Sequence, residues 1–91
     1  AIEEIRVAAA WYRARSGKAL EGFRRELRSA LQRIAQSPTV YQPYLRDTRW
    51  CRLRRFPYLI IFRENEQEIK VVAVPHERQR EGYWIARVDG P

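Results

Sequence analysis

Arg49-Trp50-Cys51-Arg52-Leu53-Arg54-Arg55-Phe56-Pro57-Tyr58-Leu59-Ile60-Ile61-Phe62-Arg63 carries much of the chain's apolar mass and much of its charge. Its second half, Tyr58 to Phe62, is a near-continuous run of aromatic and branched aliphatic residues. Such a run reads as a strand buried on both faces or nearly so. Its first half sets Arg49, Arg52, Arg54 and Arg55 around Trp50, Cys51 and Leu53. A solvated strand edge needs no such density of guanidinium, so the arginines point to a polyanionic partner carrying phosphate or carboxylate. Pro57 lacks a ladder donor, which makes the stretch two strands, or a strand with a break, rather than one long strand.

Working outward, Glu64-Asn65-Glu66-Gln67 is a polar turn, and residues 68–74 follow with Ile69, Val71, Val72 and Val74 as a further strand. Residues 58–63 and 68–74 therefore form a β-hairpin, with 48–54 as the third strand of an antiparallel sheet. Pro75 closes the last strand. Upstream, residues 2–14 place Ile2, Ile5, Ala9 and Tyr12 on one face at helical spacing. Glu3 and Glu4 lie in the first turn and Arg13 and Arg15 in the last, which suits the helix dipole. Ser16-Gly17 stops this helix and starts a second over 18–36, with Leu20, Phe23, Leu27, Leu31 and Ile34 as its stripe. Glu21 and Arg25 are spaced to pair on its exposed side. So short a joint makes the two helices an antiparallel hairpin. Ser37-Pro38 ends the second helix, because a residue before proline is driven out of the α region. Residues 39–47, with Pro43 and two tyrosines, read as an ordered loop.

The expected architecture is α+β: an N-terminal antiparallel helical hairpin packed on a small antiparallel sheet, two layers in one domain spanning 1–91. Leu27, Leu31, Ile34, Ile60, Phe62 and Val72 are the expected core. Trp11, Tyr12 and Phe23 form an aromatic face that reads as core.

Apolar and charged fractions of 45% and 32% are those of a globular chain with a heavily charged surface. The formal net charge is +7, and only Lys18 and Lys70 are lysines, so arginine carries the excess. Such an excess suits nucleic acid, an acidic protein or anionic lipid. No apolar stretch approaches the roughly 18 residues of a membrane span. The lone Cys51 reads as a small strand residue and is compatible with a reducing cytoplasm. There is no methionine, so either an initiator has been removed or the chain begins inside a longer one.

One His and one Cys do not supply a metal site, the four glycines form no phosphate loop, and no cofactor is implied. Nothing in the sequence brings Ser16, Ser29 or Ser37 to His76. Acid–base chemistry on RNA remains open, with His76 and Tyr83 moving protons and Arg52, Arg54 and Arg78 holding phosphate. Tyr83 and Trp84 have two readings, base stacking or anchoring the tail to the hydrophobic layer. His76 likewise either moves a proton or simply bonds a backbone group at the end of a strand.

Ala8-Ala9-Ala10-Trp11-Tyr12, Phe23-Arg24-Arg25-Glu26-Leu27 and Ile34 to Pro38 resemble the helical hairpin of the RelE/ParE toxin superfamily. Arg55-Phe56-Pro57-Tyr58 with Ile60, Val72-Ala73-Val74-Pro75-His76 through Arg78, and Gly82-Tyr83-Trp84 to Arg87 resemble the sheet and tail of its ParE-like, plasmid-stabilisation branch. The family usually opens with a short strand that is absent here, which is consistent with an N-terminal trim.

The resemblance implies a bacterial type II toxin neutralised by a cognate antitoxin. That partner would lay an apolar helix or strand on the toxin and carboxylates against Arg49, Arg52, Arg54, Arg55, Arg78, Arg80 or Arg87, with Tyr83 and Trp84 as further contacts. RelE-like relatives are ribosome-dependent messenger-RNA endonucleases, and Arg52, Arg54 and Tyr83 sit where three of their functional residues would. Their next strand arginine is Leu59 here, and their tail arginine falls at or next to Glu77, leaving Arg78 as the nearest stand-in. ParE-like relatives poison DNA gyrase without established catalytic residues, and this pattern matches them better. A non-toxic basic binding module is the third reading.

Overall fold

A computed structural model describes residues 1–79 and 82–89. Helices α1 (Ile2–Arg15) and α2 (Gly17–Gln36) form the expected hairpin. Ser16 is the whole joint. Its backbone is extended, its N–H donates to Tyr12 O to end α1, and its side chain accepts from the Ala19 N–H to cap α2. The sheet runs β1 (Gln42–Pro43), β2 (Arg49–Arg52), β3 (Leu59–Glu64) and β4 (Ile69–Ala73), adjacent in that order and antiparallel throughout. Two three-residue 3₁₀ turns, Pro38–Val40 and Leu45–Asp47, flank β1. A short helix, α3 (Ile85–Asp89), closes the described chain.

Alternation along β3 explains how one apolar run serves two faces. Ile60 and Phe62 pack beneath the hairpin with Ala8, Tyr12, Phe23, Leu27, Ala30 and Ile34. Ile61 points to the other face, where Val72, Ala73 and Trp84 enclose it. The sheet is therefore covered on its second face as well, by the tail. Cys51 and Leu53 are buried on the helical side, and burial pushes the Cys51 thiol pKa up against an opposing effect of the Arg33 guanidinium. Cys51 is a packed strand residue.

Four details differ from the sequence reading. Leu31 is 36% exposed, because the buried stripe of α2 runs through Ala30 and Glu26 instead. Small Ala30 faces the core, and Leu31 falls at the stripe's edge. Trp11 is 51% exposed; it meets Tyr12 edge-to-face and lies under the Arg15 guanidinium, 4.0 Å from its centroid, while Tyr12 and Phe23 are core. Ile2 is also exposed, one turn ahead of the face that Ile5 and Ala8 begin to bury. Finally, the loop 39–47 contains β1, whose Gln42 and Pro43 pair with Trp50 and Arg49. The β1–β2 connection holds Arg46 and Asp47 at positive φ, 56° and 59°, and buried Thr48 closes it by donating its hydroxyl to Leu45 O. Among the described residues no helix is long and apolar enough to cross a membrane.

Candidate functional site

The segment between β2 and β3 folds back over the hairpin and thereby sends its arginines in different directions. Phe56 enters an aromatic cluster, with its ring 5.0 Å from Tyr12 and 5.6 Å from Phe23. Glu26 locks that fold-back: only 8% exposed, it accepts the Arg55 backbone N–H at 2.7 Å and Arg55 Nε at 3.3 Å. A carboxylate inside the apolar stripe of α2 is the one sequence sign of this clamp.

Arg52 leaves β2 on the opposite side. Its guanidinium donates to Glu77 at 2.9 Å and to Leu53 O at 3.1 Å. Glu77 itself is positioned by the sheet, since its N–H donates to Pro57 O. His76 pairs with Tyr58 as an isolated bridge, and their rings meet edge-to-face at 5.3 Å. Its Nδ1 accepts the Arg78 N–H at 3.1 Å, and its own N–H donates to Gln79 Oε1 at 2.9 Å. The imidazole is thus built into a tight turn.

Gly82, at φ 78°, lets the chain reverse into the tail; a Cβ there would meet Ile85 Cδ1 at 2.9 Å. The turn buries Trp84 to 1% against Tyr44 and delivers Tyr83 and Arg87 to α1. The Tyr83 hydroxyl donates to Glu4 Oε2, and Arg87 Nη1 donates to Glu4 Oε1 at 2.9 Å. Glu4 Oε1 also accepts the Val74 N–H at 3.0 Å, just past the end of β4. The β3–β4 register shifts between Ile61 and Phe62, so Val72 bulges, and Arg87 donates to the Val72 carbonyl as well. Glu4 is therefore the point where helix, strand and tail meet.

The five candidates for acid–base chemistry do not share one cleft. His76 and Tyr83 line a cleft of about 270 Å³ with Tyr44, Leu59, Ile61, Pro75, Glu77 and Gln79. Arg52 reaches its rim only through Glu77. Arg54 lies in a different groove, between α2 and the β2–β3 turn, with Arg25, Glu26, Ser29, Arg33 and Arg55. Arg78 is exposed, and its guanidinium, like that of Arg54, has no hydrogen bond or ion pair among the described residues.

Of the wider arginine set, Arg49 pairs with Glu64 at 3.2 Å and donates to Thr39 O and Tyr41 O, tying the segment before β1 to the sheet. Arg55 and Arg87 face Glu26 and Glu4. Arg80 lies outside the described residues. Much of the guanidinium density that reads in sequence as aimed at a partner is thus answered within the chain. Sequence reasoning missed Glu4, Glu26 and Glu77, because each meets its arginine across a long separation. Glu4 also has an ordinary explanation as a first-turn acid. Among the described residues, no three His, Cys, Asp or Glu side chains gather as metal ligands do.

The family model described as ParE toxin of type II toxin-antitoxin system, parDE, matches residues 1–81. No curated protein sequence matches the chain.

Proposed function

Because the chain belongs to the ParE toxin family of type II toxin–antitoxin systems, we propose that it halts DNA replication in the cytoplasm by binding DNA gyrase. In this reading it supplies no catalytic group, and a cognate antitoxin neutralises it. Membership makes it a toxin with an antitoxin partner; the target is our inference.

The observation that carries the inference is the Tyr83 hydroxyl bound to the Glu4 carboxylate. A tyrosine that donates a proton to RNA needs its hydroxyl free, and a carboxylate beside it repels the phosphate it would serve. Arg52 is answered by Glu77 in the same way. Anchoring of the tail, rather than chemistry, accounts for these contacts. Arg54, Arg55 and Arg78, exposed at the surface, are the groups we assign to recognition of target or antitoxin. Complementary charge there raises the association rate and makes it sensitive to salt.

Induction of the gene without its antitoxin tests the reading. DNA synthesis should stop first, with messenger RNA intact and protein synthesis declining later. An early translation stop with cuts phased to codons would replace gyrase by the ribosome. Normal growth would leave a non-toxic binding module.

A further inference from the structure

The groove between α2 and the β2–β3 turn is strongly cationic. It has a volume of about 380 Å³ and sets Arg25, Arg33, Arg54 and Arg55 around one carboxylate, Glu26. That carboxylate is already occupied by the backbone and side chain of Arg55. Among the described residues Arg25 reaches only Glu21, at 3.9 Å with both side chains well exposed, and Arg33 donates to the neutral Ser29 hydroxyl at 2.8 Å. Arg54 has no partner among the described residues. Beyond Arg25, the neighbouring cleft along α2 extends the charge with Arg24 and Arg28. Like charges held this close favour a bound polyanion.

The lining also says which polyanion. No aliphatic or aromatic residue lines it, and the hydrocarbon it shows is that of long charged side chains. The adjoining cleft that shares Arg25 and Arg55 adds one ring, Phe56, which Tyr12 and Phe23 already engage edge-to-face. That is little for a protein anchor residue and no platform for successive stacked bases. A duplex needs neither, because guanidinium contacts to phosphate and the release of counterions supply its affinity.

We propose that this groove binds the phosphate backbone of duplex DNA without reading its sequence. The choice of DNA over an RNA duplex rests on the gyrase reading, in which the toxin works beside DNA held by its target. The groove would then grip the nucleic acid beside gyrase, and carboxylates of the antitoxin would compete with phosphate for Arg54 and Arg55.

The test is fluorescence anisotropy of the full chain with a labelled DNA duplex of about 20 base pairs, in parallel with gyrase supercoiling. About four phosphate contacts predict a loss of affinity of roughly 10²-fold between about 50 and 200 mM salt. The Arg25→Ala, Arg54→Ala double variant should lower the log–log salt slope by about two. Arg6→Ala with Arg13→Ala removes the same charge from α1 and should leave the slope unchanged. Equal loss in both double variants would overturn the proposal, as would tighter binding to the matching RNA duplex. Binding of polyglutamate but not of DNA would do the same. Gyrase inhibition without any DNA binding at low salt would sink the DNA site and spare the gyrase reading. DNA binding through this groove without gyrase inhibition would support the site and sink the gyrase reading.

Discussion

Replacing Trp84 by Ala should destabilise the protein by roughly 3–5 kcal/mol, the range for truncating a large buried aromatic. Trp84 is the largest fully buried side chain and sits at the centre of the second apolar layer, over Ile61, Val72 and Ala73. Tyr44, Trp50, Leu59, Ile85 and Val88 close around it. Without the indole, the face of the sheet opposite the helices loses its cover and α3 loses its anchor. Urea denaturation gives the magnitude, and trypsin should cut sooner at Arg87. A loss below about 1 kcal/mol, ordinary for a surface site, would mean that the tail is not docked on the sheet.

Glu4→Ala should cost roughly 2–3 kcal/mol, because it removes the acceptor for the Tyr83 hydroxyl, the Val74 N–H and Arg87 together. Most of that loss belongs to the first two groups, which are partly buried. Arg87 is 41% exposed on its side chain, and solvent screens its share. Glu4→Gln keeps an acceptor and should lose distinctly less. Denaturant midpoints that are the same for wild type, Gln and Ala would show that Glu4 does not join helix, strand and tail.

These two sites also mark where the sequence is legible. Helical spacing in Leu20, Phe23, Leu27 and Ile34, the Ser16-Gly17 break, and the apolar run through Ile60 to Phe62 are local signals, and each led to the element observed. Gln42–Pro43 gave no such signal: two residues with a proline have no period, and only pairing with β2 makes them a strand. Trp11 and Leu31 carry the right chemistry for a core but fall at the margins of their stripes, where a few tens of degrees of rotation decide burial. In the candidate site, His76 and Tyr83 are brought to one cleft, whereas Arg54 is turned away by the fold-back that Glu26 secures. Charge on the ribbon was plain from sequence. Its neutralisation was not, because Arg52 meets Glu77, and Tyr83 meets Glu4, only once the chain has folded.

The most direct test of the account is gyrase supercoiling of relaxed plasmid by purified wild-type and Tyr83→Phe protein, with cleavage of ribosome-bound messenger RNA measured beside it. Tyr83→Phe keeps the ring and loses one hydrogen bond to Glu4, a cost of about 1 kcal/mol, so the variant stays folded. The account predicts that both proteins inhibit supercoiling to a similar degree and that neither cuts the messenger. Cleavage by the wild type that falls about 10²-fold or more in a folded Tyr83→Phe protein, the size of a lost general-acid contribution, with no effect of either protein on gyrase, would contradict it.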